Sequence, residues 1–375
     1  MVIRESYSAI ARPGSFSKGF ALDFDSERTD FTSFREDTRA VGEERGDCKL
    51  WKRILIASLV FVVLATVSVY VTLAEGDSVR GEEVGDRKKM EIDHQTAESD
   101  QNQKDPYQNT DGKIVSKKLL QVDSPYSDQV ELYRIQYMSE GLHVVGFLCK
   151  PKKIEEKLPV IIYNRGGILE SSKIEEDHLE YFTKLASRHY VVLASQYRGN
   201  DGSEGQKGIA GKDVRDVLNL IPLADSLSYA DPDNKVMLGY SRGGMMTYRA
   251  IREGVDIRAA AIVGGVSDLK QLYEEKNVFR SPLSKMVGDP LLNEDQYKTR
   301  SAVEWPDDLR VPILLVHGLE DPTVNPSQSR RLAERLKQLG YEHRLVLIPG
   351  GNHYVTNQPE KRDREIFKWF DQYLE

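Results

Sequence analysis

The stretch KVMLGYSRGG, Lys235 to Gly244, decides how the rest of this 375-residue chain is read. An apolar run ends in glycine, a serine follows one residue later, and two glycines open a segment with helical periodicity. That order predicts a buried strand, a sharp turn and a helix, with Ser241 held at the turn where strand and helix approach too closely for side chains on its neighbours. Working outward, short apolar runs recur at Pro159 to Tyr163, Tyr190 to Ala194, Ala259 to Val263, Pro312 to Val316 and Arg344 to Ile348. Between them lie helical patterns over Asp177 to Ser187, Val214 to Leu223, Gly244 to Arg252, Gln328 to Leu339 and Lys361 to Tyr373. Two alternating segments, Val130 to Gln136 and His143 to Cys149, read as an antiparallel edge pair. Strands that are apolar on both faces, alternating with helices, imply an α/β domain with a mostly parallel central sheet flanked by helices. Chemistry in such a sheet gathers at the carboxyl ends of the strands.

A serine hydroxyl needs an adjacent base, and the base needs an orienting acid. In a sheet of this kind the acid and then the histidine follow the serine along the chain. Beyond Ser241 stand only His317, His343 and His353. His353 lies in the loop after the last strand, where the base must be. His317 precedes any acid of its loop and is expected to be structural, and His343 opens a strand away from the active edge. The acid is read as Asp321 in HGLEDPTVNP, with Glu320 as the neighbour that could be mistaken for it. The backbone N–H of Arg242 supplies one donor to a developing oxyanion, because it begins the helix. The second is expected from Asn164-Arg165-Gly166-Gly167, at Arg165 or Gly166, although paired glycines equally suit a plain turn. Arg198 and Tyr240 are candidate substrate contacts near strand ends. Arginines at such places also make structural ion pairs.

Composition removes other function classes. With 52 Lys+Arg against 59 Asp+Glu, a net charge of -7 and no basic stripe interleaved with aromatics, the chain does not read as a nucleic-acid binder. No Cys/His grouping has metal-ligand spacing, and GIAGKD at Gly208 to Asp213 lacks the spacing of a phosphate loop, so neither metal nor organic cofactor is expected. The two cysteines, Cys48 and Cys149, imply no disulfide scaffold.

The averages conceal one local feature. Ile54 to Ala74 runs for 21 residues without a charge. As a helix it would be about 31 Å long, enough for the roughly 30 Å hydrocarbon core of a bilayer. Four expectations about organisation follow: a polar, disordered tail over 1–53, a transmembrane helix over 54–74, a flexible tether over 75–112, and a catalytic domain over 113–375. Arg45, Lys49, Lys52 and Arg53 crowd one flank of the span, while Glu75 and Asp77 follow the other. That asymmetry favours a single-pass membrane protein with a cytoplasmic N-terminus and an extracytoplasmic catalytic domain. Oligomeric state is not legible.

The pattern resembles the α/β-hydrolase fold and, more narrowly, the catalytic domain of the prolyl oligopeptidase family, with its acylaminoacyl and dipeptidyl peptidase relatives. The resemblance rests on QYRGNDG at Gln196 to Gly202, GKDVRDV at Gly211 to Val217, GYSRGG, Arg300-Ser301 leading into LRVPILLVHGLED, and GGNH ending at His353. It covers about residues 125 to 375 and implies a serine-type peptidase with Ser241 as nucleophile, Asp321 as orienting acid and His353 as base. Family members generally carry a β-propeller, for which the sequence ahead of the hydrolase pattern leaves no room, and Asn-Arg-Gly-Gly stands where relatives often show His-Gly-Gly. The leading expectation is a membrane-anchored serine hydrolase that cleaves peptide bonds through an acyl-enzyme. A carboxylesterase on small acyl esters is the competitor, and a non-catalytic hydrolase-like binding protein the third reading. Residues 267 to 310 are expected to be either a small lid, with Tyr273, Phe279 and Met286 toward substrate, or packing alone.

Overall fold

The computed structural model describes residues 110–169 and 172–374. The expected tail and transmembrane span, and all but the last three residues of the expected tether, lie outside the described residues. Among the described residues no helix is long and apolar enough to cross a membrane.

Nine strands form one sheet: β1 (Ile114–Leu120), β2 (Val130–Ser139), β3 (Leu142–Pro151), β4 (Leu158–Asn164), β5 (Val191–Ser195), β6 (Ala230–Tyr240), β7 (Ala259–Val263), β8 (Ile313–Gly318) and β9 (His343–Ile348), in the order β1-β2-β3-β5-β4-β6-β7-β8-β9. The pairs from β5 onward are parallel, and β1-β2, β2-β3 and β3-β5 are antiparallel. The β2-β3 pair is therefore not the edge: β1, whose sequence IVSKKLL has no clean alternation and whose side chains are mostly exposed, covers it.

The period of two within each parallel strand divides the core in half. Val160 and Ile162, Met237, Ala260 and Ile262, and Ile313 and Leu315 pack on one face. Ile161 and Tyr163, Val236 and Leu238, Ala259 and Ala261, and Leu314 and Val316 pack on the other. Both faces are buried because helices cover both, so these strands read as continuous apolar runs. On the first face lie α2 (Val214–Leu218), α3 (Leu220–Asp225), α4 (Arg242–Arg252), α5 (Leu269–Glu275), α6 (Asn277–Met286), α7 (Glu294–Thr299) and α8 (Ser327–Gln338). On the second lie α1 (Glu176–Ala186) and α9 (Pro359–Tyr373), through Phe182, Ile366 and Phe370. The single helix expected over Val214 to Leu223 is two short ones that meet at Asn219. Tyr273, Phe279 and Met286 are partly buried against the first-face core, which answers the lid-or-packing question in favour of packing for these three.

The turn between β6 and α4 depends on its glycines. A Cβ on Gly243 would stand 1.8 Å from the Asn164 carbonyl oxygen, a backbone atom that cannot move aside. Gly243→Ala is therefore expected to cost about 3 kcal/mol or more, as overpacking against rigid backbone does. The measurement is the thermal unfolding midpoint, and an unchanged midpoint would contradict this close approach.

Candidate active site

Ser241 is the cap residue between β6 and α4 and holds φ 52°, ψ -115°, a conformation that L-residues rarely adopt. Such strain persists where surroundings over-determine it. Here the Ser241 N–H donates to Val263 O at 3.0 Å, while its carbonyl accepts from Gly244 N at 2.9 Å and Val266 N at 3.3 Å. Arg242 is the first residue of α4, so its N–H has no acceptor within the helix.

The loops after β8 and β9 meet where Gly318 faces Gly351: a Cβ on Gly318 would stand 2.1 Å from the Gly351 carbonyl oxygen, and the Glu320 N–H donates to that same carbonyl at 3.0 Å. This contact sets Asp321 beside His353. The Asp321 Oδ2 is 2.7 Å from His353 Nδ1 and 3.0 Å from His317 Nε2, and its Oδ1 accepts from the N–H groups of Thr323 (2.8 Å) and Val324 (2.9 Å). Burial works to raise the carboxyl pKa, but hydrogen bonds from His317 and His353, the His353 charge and the Val324 N–H outweigh it. The net effect holds Asp321 well below the usual carboxylate range. Glu320, the neighbour that could be mistaken for the acid, has an exposed side chain.

His317 is fully buried, and sequence reasoning assigned it no contact with the acid. Its Nε2 faces only acceptors, Asp321 Oδ2 and Val324 O at 3.0 Å, so that nitrogen carries a proton; its Nδ1 takes the Ser329 hydroxyl at 2.7 Å. The i, i+4 spacing of His317 and Asp321 was the available signal.

The expected oxyanion and substrate residues separate into two groups. Gly166 lies in the cleft, beneath the Tyr354 hydroxyl; a Cβ there would stand 2.1 Å from that oxygen. Tyr240 lines a cavity beside the serine. The three arginine side chains, by contrast, are buried in ion pairs and stacks. Arg165 and Arg242 lie against the ring of Tyr197, at 4.6 and 4.7 Å from its centroid. Arg242 also pairs with Asp213 at 2.6 Å and donates to Gly167 O and Gly208 O, so the residue after the serine grips the glycine loop opposite. Burial and the nearby Arg242 charge push Arg165 down to about 10, still protonated at neutral pH. Arg198, placed by sequence among the candidate substrate contacts, is 6% exposed and bound by Asp216 at 2.8 Å and Glu140 at 2.9 Å. The QYRGNDG and GKDVRDV segments thus meet as Arg198 with Asp216, and Tyr197 with the Arg242–Asp213 pair.

Sequence reasoning also passed over Tyr354, which follows the histidine. Its ring stacks on His353 with centroids 4.5 Å apart, and its hydroxyl stands over Gly166. Burial raises its pKa, so it stays a phenol and can donate.

A strained serine on a strand-to-helix turn, with a histidine and carboxylate paired on neighbouring loops, is the arrangement of an acyl-transfer site. Comparison with known proteins agrees. The model of the prolyl oligopeptidase family of peptidases matches residues 178–375. The chain belongs to that family. It is a serine hydrolase of the peptidase type. An uncharacterized peptidase of Bacillus subtilis, YtmA, is 32% identical over 250 residues, which span 66% of this chain and 95% of that one. A second from the same organism, YuxL, is 27% identical over 64% of this chain and only 39% of its own length. Among solved structures, the acylaminoacyl peptidase of Pyrococcus horikoshii superposes with a TM-score of 0.57 at 24% identity, over 66% of this chain and 42% of that one, and shows the fold.

Proposed function

We propose that this family member is a membrane-anchored peptidase that works through an acyl-enzyme, with Ser241 as nucleophile, His353 as general base and Asp321 as the group that orients it. The observation that carries this reading is the 2.7 Å contact between His353 Nδ1 and Asp321 Oδ2. That bond places the proton of the neutral imidazole on Nδ1 and leaves Nε2 as the basic nitrogen. His353 takes the Ser241 proton as Oγ attacks the carbonyl, then delivers it to the departing amine. Water repeats the cycle to release the acid. The Arg242 N–H and the Gly166 backbone border the position where the oxyanion forms.

Tyr354 adds a side-chain donor to that position, since its hydroxyl stands over Gly166, where the backbone carbonyl of Tyr240, the residue before the serine, also lies. Tyr354→Phe keeps the ring against His353 and removes only the hydroxyl. Loss of one oxyanion donor is expected to lower kcat by about 10²-fold or more with little change in KM. Wild-type kcat in the phenylalanine variant would count against the assignment.

Peptide substrates are favoured over esters by the family and by the peptidase YtmA, of which this chain spans 95%. The deciding assay sets aminoacyl and prolyl anilides against p-nitrophenyl esters. Ser241-dependent turnover of anilides supports the peptidase reading, and turnover of esters alone makes the protein a carboxylesterase. Failure of the wild-type protein to react with a fluorophosphonate probe would point to the non-catalytic reading.

The anchor rests on the uncharged run Ile54 to Ala74 and its basic N-terminal flank. Cleavage of the hydrolase domain by protease added to intact cells supports the extracytoplasmic orientation, and full protection overturns it.

A further inference from the structure

Beside the catalytic serine, on the second face of the sheet, lies a cavity of 380 Å³. That falls within the roughly 300 to 1,000 Å³ of small-ligand sites. Its walls are largely aromatic. Tyr126 stands at one side, and Tyr163, Tyr181, Tyr240 and Tyr354 form a continuous cluster. Within that cluster Tyr163 and Tyr240 have centroids 5.5 Å apart at 35°, while Tyr181 and Tyr354 meet Tyr240 edge-on at 90° and 87°. Rings fixed in tilted and edge-to-face contact offer faces and edges to one more ring.

Its place relative to the triad says which part of a substrate it receives. The atom that leaves must take its proton from His353, so the leaving group lies on the side of the serine to which the His353 loop contributes. Tyr354 and Thr356 of that loop and Pro359, which opens α9 directly after it, line the cavity, and the loop after β7 contributes nothing to it. We infer that this cavity is the leaving-group subsite of the enzyme and that it takes an aromatic ring. The inference rests on the acyl-transfer reading of Ser241, His353 and Asp321.

The charges around it give the subsite a sign. Lys184 and Arg362 share the one carboxylate of Asp363, at 2.7 and 2.8 Å, so one of these two positive charges is left unbalanced. Arg362 further lies against the Tyr181 and Tyr240 rings. Asp177 and Glu180, exposed carboxylates, also line the cavity, Asp177 at 2.7 Å from the His178 Nδ1, and these two outnumber the one unbalanced cation. An aromatic leaving group followed by a cation is thus favoured over one followed by a carboxylate.

The test holds the acyl group constant, choosing one that the wild-type protein accepts, and varies only what departs. Methyl and benzyl esters release alcohols of similar basicity, and kcat/KM reports acylation whatever the rate of deacylation. The benzyl ester is expected to exceed the methyl ester by about 10-fold or more, as filling an apolar pocket does. Tyr126→Ala should bring the two esters together while leaving the methyl ester at its wild-type rate. Among amides, phenylalanyl-lysinamide as leaving group should exceed phenylalanyl-glutamate, and Glu180→Gln should narrow that gap.

Equal kcat/KM for the two esters overturns the subsite and leaves the catalytic reading intact. So does a Tyr126→Ala effect that follows the acyl group instead of the leaving group, because the cavity then lies on the acyl side. Ser241→Ala run in parallel separates the remaining case: if neither the esters nor the amides show Ser241-dependent turnover, the catalytic reading fails and takes the subsite with it.

Discussion

Ser241→Ala is expected to lower kcat by about 10⁵-fold or more and to abolish labelling by a fluorophosphonate probe. In the proposed mechanism alanine removes the single atom that forms the acyl-enzyme. The backbone hydrogen bonds to Val263 and from Gly244 and Val266 that hold the turn need no side chain at position 241 and survive the substitution. A retained unfolding midpoint therefore separates loss of chemistry from loss of fold. His353→Ala should cost a comparable factor, since without the base the hydroxyl is not activated. Because in that mechanism the two residues act on one proton, their effects should not add, and the double variant should be no slower than either single one within a few-fold. A double variant slower by the product of the two factors would mean that they act in separate steps.

The parts of this site that were legible from sequence are those fixed by chain order and by a period of two. Strands buried on both faces announce themselves as apolar runs, and β4 to β8 fall where such runs stand, as does β9, the half-buried edge strand opposite β1. The edge strand β1 escaped because exposed Ser116, Lys117 and Lys118 give it no alternation; it is held by pairing to β2. Asn219 divides a pattern that reads as one helix, and nothing in helical periodicity marks the division. At the site, the order of serine, acid and histidine narrows the candidates to single residues, but roles that depend on what a side chain meets in space do not follow from order. Arg198 lies near a strand end, as a substrate-binding arginine would, yet Asp216, 18 positions onward, takes its guanidinium. Tyr354 and His317 acquire their contacts only when the loops after β8 and β9 close on each other.

Asp321→Asn is expected to cost about 10⁴-fold in kcat, through the tautomer of its partner and not through position. The carboxylate of Asp321 receives four donors: His353 Nδ1 and His317 Nε2 at Oδ2, and the Thr323 and Val324 N–H groups at Oδ1. An asparagine presents one oxygen and one NH2. If the oxygen faces the histidines, the NH2 confronts two backbone donors that cannot tautomerise. If the NH2 faces the histidines, His353 must turn its lone pair to it and move its proton to Nε2, where it can no longer accept from serine. The second arrangement keeps the backbone bonded and is the one expected, so the variant should regain rate at alkaline pH less than a variant with an intact orienting carboxylate. Stability follows the same group with a defined sign. The folded-state carboxyl is held below its unfolded value of about 3.9, so its contribution is fully present above about pH 4 and fades as pH falls through the folded-state value. The unfolding midpoints of wild type and Asp321→Asn should therefore differ most between about pH 5 and 8 and converge in stronger acid. A constant difference down to the lowest pH at which the protein folds would show that the four donors do not depress this carboxyl.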